Sequence, residues 1–196
     1  MNSAAIILAA GSSSRMGQSK QMLDIDGEPL LLKVVKASMN SLISTTVVVL
    51  GSNEAGHRKI LNGLSIEIIH NEHWQKGMGN SLKHGIHHLL NVSPSVDAVI
   101  ILVCDQPMLG PEHITNLLSA YQENKKPIIA SRYLNTAGVP ALFDKSYFNQ
   151  LMSLPDSQGA KKIILEHSEN VYEVDFPGGE IDLDTMKAYN AFRSRH

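Results

Sequence analysis

Short apolar runs rich in β-branched residues alternate along the chain with amphipathic segments, and this alternation constrains the fold more than any other feature. The runs are AAIILA (4–9), TTVVVLG (45–51), SIEIIHN (65–71), DAVIILVCD (97–105) and PIIASRY (127–133). Continuous Val, Ile and Leu runs are typical of strands that are covered on both faces of a sheet. They therefore predict buried strands.

Three of the intervening segments, 29–42, 80–92 and 111–124, have apolar residues at helical spacing. Two of them carry a proline at or near the first helical position, where its fixed backbone angle fits. Strand alternating with helix predicts an α/β domain of three layers, with a mostly parallel, Rossmann-like sheet and right-handed crossovers.

The alternation becomes irregular after Tyr133. The stretch NTAGVPALFDKSYFNQL predicts a loop, a short strand and a helix. A second helix (158–168), a strand (171–176) and a terminal helix (184–194) are expected to follow. We expect one domain over residues 1–196, with a regular part (1–133) and an irregular part (134–196).

Composition excludes several classes of protein. The formal net charge of −2, without a long Lys/Arg run, argues against a general nucleic-acid binder. No apolar run approaches the roughly 18 to 20 residues of a membrane span. The apolar run 4–10 lacks the basic flank of a signal peptide. A single cysteine, Cys104, excludes an intrachain disulfide. A cytoplasmic protein without nucleic-acid or membrane partners is expected.

A polar loop, GSSSRMGQSK (11–20), follows the first strand. Gly11 and the three serines after it can offer backbone N–H groups to an anion, and Arg15 and Lys20 add positive charge. The spacing fits neither the P-loop nor the dinucleotide-binding pattern. The residues alone leave two interpretations open, a surface connection between strand and helix or a loop that holds a triphosphate.

Two acidic positions are candidate ligands of a hard cation. Asp105 directly follows the most hydrophobic strand, where a carboxylate would stand at the carboxyl edge of the sheet, and Mg²⁺ typically takes one or two carboxylates plus substrate phosphates. Asp184 precedes the last helix. Asp105 could instead cap the next turn or helix, and Asp184 with Thr185 could be the N-cap of the last helix.

The segment WQKGMGNSLKHGI (74–86) contains glycines that allow close approach of a ligand. Asn80 and Ser81 could read the edge of a base, although the glycines could equally form a flexible helix entrance. The three histidines that follow, His84, His87 and His88, are interpreted as a solvated helix face rather than a metal site. Trp74 is expected either to pack in the core or to act as a lid over the site. Cys104 is expected to be a small buried apolar residue.

Four blocks in order carry a resemblance to a known family. They are LAAGSSSRMG (8–17), GMGNSLKHG (77–85), DQP (105–107) and DLDT (182–185). Together they resemble the nucleotidyltransferases typified by the molybdenum cofactor cytidylyltransferases. The guanylyltransferases of that cofactor and the sugar and isoprenoid nucleotidyltransferases are more distant kin.

The resemblance implies the nucleotide-diphospho-sugar transferase type of fold and the transfer of CMP from CTP to the terminal phosphate of molybdopterin or its molybdenum-loaded form. Mg²⁺ would be held by Asp105 and Asp184. The expected catalytic residues are Arg15, Lys20 and Asp105. The expected nucleotide-binding residues are Leu8, Ala9, Ala10, Gly11, Ser12, Arg15, Lys20, Asn80, Ser81 and Asp105.

The same resemblance assigns nucleotide binding to residues 1–133 and the acceptor and closing part to 134–196, with a molybdenum hydroxylase apoenzyme as the client. Ala10 stands where the guanylyltransferases have glycine, which favours a pyrimidine base. The family usually has proline at the Ser19 position, a histidine block where this chain has GVPALF (138–143), and arginine at Lys161.

The last two of these departures concern the acceptor more than the nucleotide or the reaction. A nucleotidyltransferase of a sugar or polyol phosphate is therefore an alternative. A non-catalytic carrier or insertion chaperone of the cofactor is another, although such a carrier has no need of a phosphate-binding loop beside metal-binding carboxylates.

Overall fold

The computed structural model describes residues 1–194, and the side chain of Arg15 lies outside the described part. The strands are β1 (Ser3–Ala9), β2 (Asp24–Ile25), β3 (Glu28–Pro29), β4 (Thr45–Leu50), β5 (Glu67–His70), β6 (Ala98–Val103), β7 (Ile128–Tyr133), β8 (Thr136–Asp144) and β9 (Val171–Asp175). The α-helices are α1 (Leu30–Met39), α2 (Glu54–Ile60), α3 (Met78–Val92), α4 (Pro111–Asn124), α5 (Phe148–Met152), α6 (Lys161–Glu166) and α7 (Met186–Arg193).

Within residues 1–194 the main sheet has seven strands in the order β5-β4-β1-β6-β8-β7-β9, and β2 pairs with β3 in a separate hairpin. The pairs β1–β4, β1–β6, β4–β5 and β7–β9 are parallel. The strand β8 runs antiparallel to both of its neighbours, β6 and β7. The predicted α/β class and mostly parallel sheet are confirmed.

The strand after Tyr133, β8, is longer than the short strand that was predicted, and its direction was not predicted. The strand spans nine residues, Thr136–Asp144. Only residues 134 and 135 separate it from β7, and Leu134 takes a left-handed backbone angle, φ 52°. A two-residue connection can join antiparallel strands but not parallel ones, which need a long crossover.

Helices cover both faces of the sheet. Along β1, Ala5 and Ile7 pack with α1, α4 and α7, whereas Ala4 and Ile6 pack with α3, α5 and α6. Gly85 lets α3 approach closely, since a Cβ there would lie 2.7 Å from Cγ2 of Ile6. The three predicted layers are therefore present, and apolar residues of the strands alternate between two cores.

The parallel strands bring the polar loop and the first acidic position together. Leu8 of β1 lies in register with Val49 of β4 and with Val103 of β6. The segments that follow these three strands therefore emerge side by side at the carboxyl edge, where ligands bind in open α/β sheets. In the described part of the chain, none of the helices combines the length and the apolar character needed to cross a membrane.

Candidate functional site

The polar loop after β1 folds into two short 3-10 helices, Ser14–Met16 and Lys20–Met22. Ser13 and Gly17 flank the first of them in left-handed conformations, with φ of 54° and 70°. The backbone N–H of Met16 donates to the Ser13 carbonyl at 2.9 Å. The loop is thus a compact double turn.

Gln21 lies at the centre of this loop, with only 1% of its surface exposed. Its Nε2 donates to the carbonyls of Ala9 at 3.0 Å and Gly11 at 2.9 Å. Its Oε1 accepts from the hydroxyls of Ser19 at 2.8 Å and Ser13 at 3.3 Å. Both N–H bonds of the amide are used, so Gln21 ties the far end of the loop back to the end of β1.

Sequence reasoning missed Gln21. Glutamine is mostly a surface residue, and nothing in its neighbours indicates that its side chain turns inward. The one available signal was its place directly after Lys20. The backbone N–H of Lys20 itself donates to Oγ of Ser13 at 3.0 Å, which fixes where the lysine leaves the loop.

The ammonium of Lys20 joins the two acidic positions. Its Nζ lies 3.0 Å from Oδ2 of Asp105 and 2.9 Å from Oδ1 of Asp184. The three side chains are 18%, 24% and 29% exposed. Burial lowers the pKa of Lys20, but the two carboxylates outweigh burial and the net pKa is raised. The lysine is therefore charged throughout the neutral range.

Backbone contacts explain how Asp184, far away in sequence, reaches this place. The N–H of Leu183 donates to the carbonyl of Asp105 at 3.0 Å, so the segment before α7 lies against the end of β6. The cap of α7 is Thr185, whose Oγ1 accepts from the N–H of Ala188 at 3.2 Å. Of the pair that the sequence offered as a helix cap, Asp184 with Thr185, the structure gives the capping role to Thr185.

Two clefts meet at Lys20. The larger, of about 320 Å³, lies between the loop and the segment that leads into α3, with the end of β6 beneath. It is lined by Leu8, Ala10, Gly11, Ser12, Lys20, Gln21, Trp74, Gln75, Gly77, Met78, Ser81, Val103, Cys104 and Asp105. The smaller, of about 150 Å³, is lined by Gly11, Ser13, Ser14, Met16, Lys20 and Asp184. One cation thus faces both spaces.

Trp74 and Asn71 shape the wall opposite the loop. Trp74 packs on Gly51, where a Cβ would lie 2.7 Å from Cβ of Trp74 and 2.7 Å from the Ala10 carbonyl oxygen. Asn71 is fully buried, and its Nδ2 donates to Oδ1 of Asn80 at 3.0 Å and to Oγ of Ser81 at 3.0 Å. No pattern in the sequence indicated Asn71, which holds the start of α3 in place.

The structure brings most of the predicted site residues to the larger cleft: Leu8, Ala10, Gly11, Ser12, Lys20, Ser81 and Asp105. Ala9 is buried, with its carbonyl bonded to Gln21. The amide of Asn80 is bonded to Asn71 and to Oδ1 of Asp156, at 3.3 Å, inside the protein. Arg15 contributes its backbone to the first 3-10 helix, and its side chain lies outside the described residues.

Asp105 and Asp184 fit a hard divalent cation, because both present carboxylate oxygens to one point, which Lys20 Nζ holds. Within residues 1–194 no group of three or more His, Cys, Asp and Glu side chains could hold a metal. A magnesium ion in a nucleotide site does not need such a group, since substrate phosphates and water complete its six oxygen ligands.

Cys104 also lines the larger cleft, and burial raises the pKa of its thiol, so it is protonated at neutral pH. His88 on α3 lies 3.1 Å from Oε2 of Glu67, a contact that agrees with a solvated helix face. Neither residue adds a nucleophile to the site.

The family model of the MobA-like NTP transferase domain matches residues 5–171. The purine catabolism protein PucB of Bacillus subtilis is 26% identical over 200 residues, 96% of this chain and 94% of that protein. A probable molybdenum cofactor guanylyltransferase of Pyrococcus horikoshii is 27% identical, over 67% of this chain and 62% of its own length. A 2-C-methyl-D-erythritol 4-phosphate cytidylyltransferase of Prochlorococcus marinus is 27% identical, over 67% and 59%.

Solved structures share the fold. A nucleotidyl transferase of Methanothermobacter thermautotrophicus superposes with a TM-score of 0.82 at 18% identity, over 99% of this chain and 97% of that one. Rv0371c of Mycobacterium tuberculosis, in complex with manganese, superposes with a TM-score of 0.80 at 20% identity over the full length of both chains. The fold is therefore that of known nucleotidyltransferases.

Proposed function

Since the chain belongs to the family of MobA-like NTP transferase domains, we propose that it is a Mg²⁺-dependent cytidylyltransferase that acts in the cytoplasm. The reaction transfers CMP from CTP to the terminal phosphate of molybdopterin or its molybdenum-loaded form and releases pyrophosphate. Residues 1–133 bind the nucleotide, and residues 134–196 bind the acceptor and close the site. The loaded cofactor passes to a molybdenum hydroxylase apoenzyme.

The observation that carries the proposal is the placement of Lys20 between Asp105 and Asp184, at 3.0 and 2.9 Å, beside the exposed residues Gly11 and Ser12. An ammonium and backbone N–H groups suit the oxygens of a triphosphate, and two carboxylates suit a hard cation. All of them stand at the carboxyl edge of parallel strands, where open α/β sheets bind ligands.

The chemistry is one in-line displacement. An oxygen of the acceptor phosphate forms a bond to the α-phosphorus of CTP, while the bond from that phosphorus to the bridging oxygen breaks and pyrophosphate departs. The acceptor phosphate is largely ionised near pH 7, because its second pKa is about 6. No general base is required, and the protein contributes positioning and charge neutralisation.

Lys20 is the principal described cation for this task. A cation 4 Å from a phosphate oxygen is worth about 1 kcal/mol in bulk water and about 4 kcal/mol at an effective dielectric constant of 20. A bound Mg²⁺ supplies further neutralisation of phosphate charge. With a triphosphate bound, the ammonium of Lys20 would meet phosphate oxygens, and Asp105 and Asp184 would hold the metal.

The preference for CTP rests on Ala10. Ala10 borders the larger cleft, and its carbonyl accepts from the N–H of Ser52 at 3.0 Å, which fixes the backbone there. Leu8 and Trp74 add apolar walls. One methyl group discriminates by only about 1 to 3 kcal/mol, and the family relatives include both cytidylyl- and guanylyltransferases. The preference among the four nucleoside triphosphates is therefore decided by measuring turnover with each.

A pyrophosphate-release screen tests the proposal. CTP, GTP, ATP and UTP are each combined with Mg²⁺ and with molybdopterin, its molybdenum-loaded form, a sugar phosphate or a polyol phosphate. We expect release with CTP and the cofactor. Release with a sugar or polyol phosphate alone would assign the alternative acceptor, and tight cofactor binding without turnover would assign a carrier.

Variants of the two aspartates next to β6 make a matched pair for this screen. Asp105 and Asp97 flank β6 at opposite edges of the sheet, and Asp97 pairs with Lys145 at 3.4 Å, away from the clefts. We expect Asp105→Asn to lower turnover by about 100-fold or more and Asp97→Asn to leave it unchanged. Equal rates for the two variants would exclude Asp105 from the reaction.

A further inference from the structure

A buried histidine stands behind the polar loop, on a helix that takes no part in either cleft. His57 lies in α2, which follows β4, and its surface is 0% exposed. Its Nε2 lies 2.8 Å from Oγ of Ser19, the residue before Lys20. The segment that leads into Lys20 is therefore tied by a side chain to a helix outside the loop.

Counting hydrogens fixes the direction of the contacts. The hydroxyl of Ser19 has one hydrogen, which it donates to Oε1 of Gln21 at 2.8 Å. The contact between Ser19 and His57 must then be donated by the histidine, so Nε2 carries a proton. Nδ1 of His57 is buried and has no hydrogen-bond partner among the described residues. The imidazole is therefore neutral, and burial lowers its pKa in agreement.

The contacts form one chain from α2 to the loop. His57 donates to Ser19, Ser19 donates to Gln21, and Gln21 donates to the carbonyls of Ala9 and Gly11. Lys20 lies between Ser19 and Gln21 in sequence, so both neighbours of the lysine are held.

We propose that His57 is a positioning residue of the loop, which acts through Ser19 and Gln21 to hold Lys20 where it meets the triphosphate. The inference rests on the proposed role of the loop in binding a nucleoside triphosphate. His57 touches neither substrate nor metal. It keeps residues 11–22 ordered in the protein before the nucleotide binds.

A double-mutant cycle separates this role from mere packing of α2. His57→Ala removes the donor to the partly buried Ser19 hydroxyl. Ser19→Ala leaves the buried Nε2–H of His57 without its acceptor and also removes the bond to Gln21, while the double variant removes both partners of the His57–Ser19 contact together. We expect each single variant to weaken CTP binding by roughly tenfold, with the double variant binding no more weakly than either single one. Independent, additive losses would overturn the proposal.

Two readouts are available. Trp74 is the only tryptophan in the sequence and lines the larger cleft, so its fluorescence reports CTP binding. Amide hydrogen exchange of residues 11–22 in the ligand-free protein reports loop order without any nucleotide. We expect faster exchange there in His57→Ala, and near wild-type exchange in His57→Gln, whose amide N–H can replace the Nε2–H donor.

A matched control is His113→Ala. His113 is another buried histidine with a serine partner, since its Nε2 lies 2.6 Å from Oγ of Ser131 on β7. This variant should lower thermal stability but leave exchange of residues 11–22 unchanged. Should His57→Ala fail to fold, Ser19→Ala decides alone, because wild-type exchange and CTP affinity in that variant would overturn the proposal.

The outcomes also distinguish the two proposals. If CTP and the other triphosphates do not bind but loop exchange in the two variants is coupled, the proposed function fails and the positioning role of His57 stands. If CTP binds and loop exchange does not respond to His57, the positioning role is wrong and the proposed function stands.

Discussion

Replacing Lys20 by methionine tests the centre of the site. The variant keeps a long, flexible side chain and removes the ammonium that Asp105 and Asp184 share at 3.0 and 2.9 Å. A charge pair at 3 Å has a Coulomb energy of about 5 kcal/mol at an effective dielectric constant of 20. Partial exposure and the cost of desolvating the three charges reduce this strongly, and we expect a net loss of about 1 to 3 kcal/mol in unfolding free energy.

The pH dependence has a defined sign. The pKa of Lys20 is raised in the folded protein above its ordinary value of 10.5. The stabilisation by the charged lysine is therefore fully present below pH 10.5 and is lost as the pH rises through the folded-state pKa. The difference in unfolding free energy between wild type and Lys20→Met should be constant around neutral pH and shrink as the pH rises into strongly alkaline solution.

Function should respond more strongly than stability. The interaction of about 1 to 4 kcal/mol between ammonium and phosphate predicts CTP binding weaker by roughly 5-fold to 1,000-fold in Lys20→Met, with turnover reduced as well. Urea denaturation measures the change in unfolding free energy, and titration of Trp74 fluorescence measures the change in CTP affinity. Lys145→Met, at a lysine whose side chain is 65% exposed, is the control. Unchanged CTP affinity and turnover in Lys20→Met would refute the assignment of the loop to the phosphates.

Two further predictions concern the frame around the site. Burial lowers the pKa of His113 to about 4 from an ordinary value of 6.5, so the unfolding free energy of the wild type should fall by up to about 3 kcal/mol as the pH drops from 6.5 to 4. In His113→Gln, which keeps a donor to Ser131, urea denaturation over the same pH range should show a smaller decline. In Gly51→Ala the new methyl group would lie 2.7 Å from the Ala10 carbonyl oxygen and from Cβ of Trp74, so we expect thermal unfolding to show a free energy of unfolding lower by about 1 to 3 kcal/mol and Trp74 fluorescence to show a shifted emission. Wild-type values for both quantities would contradict the tight packing of this wall.

Hydrophobic patterning was enough to predict the architecture. The strands β1 and β6 and the helix α4 lie within two residues of their expected bounds, because runs of buried aliphatic residues and a proline at the first helical position are local signals. The antiparallel direction of β8 was not predictable in the same way. It depends on a two-residue turn that a polar stretch does not distinguish from a longer loop.

The site shows the same division. The position of Asp105 at the carboxyl edge of the sheet was predictable because the residue follows a buried strand, and the position of the loop because it follows another. Gln21, Asn71 and His57 were not, since each satisfies partners distant in space and leaves no periodic pattern in the sequence. Their role follows from the cost of burying an unpaired polar group, which only the folded arrangement reveals.

The fate of isotopic label in CTP tests the central claim most directly. With CTP labelled at the α-phosphorus, the account predicts that the label appears in the acceptor product, in amounts equal to the pyrophosphate released. With CTP labelled at the γ-phosphorus, the label should appear only in pyrophosphate. Label from the γ-position in the acceptor, or no transfer from the α-position with any nucleotide and acceptor of the panel, would contradict nucleotidyl transfer by this site.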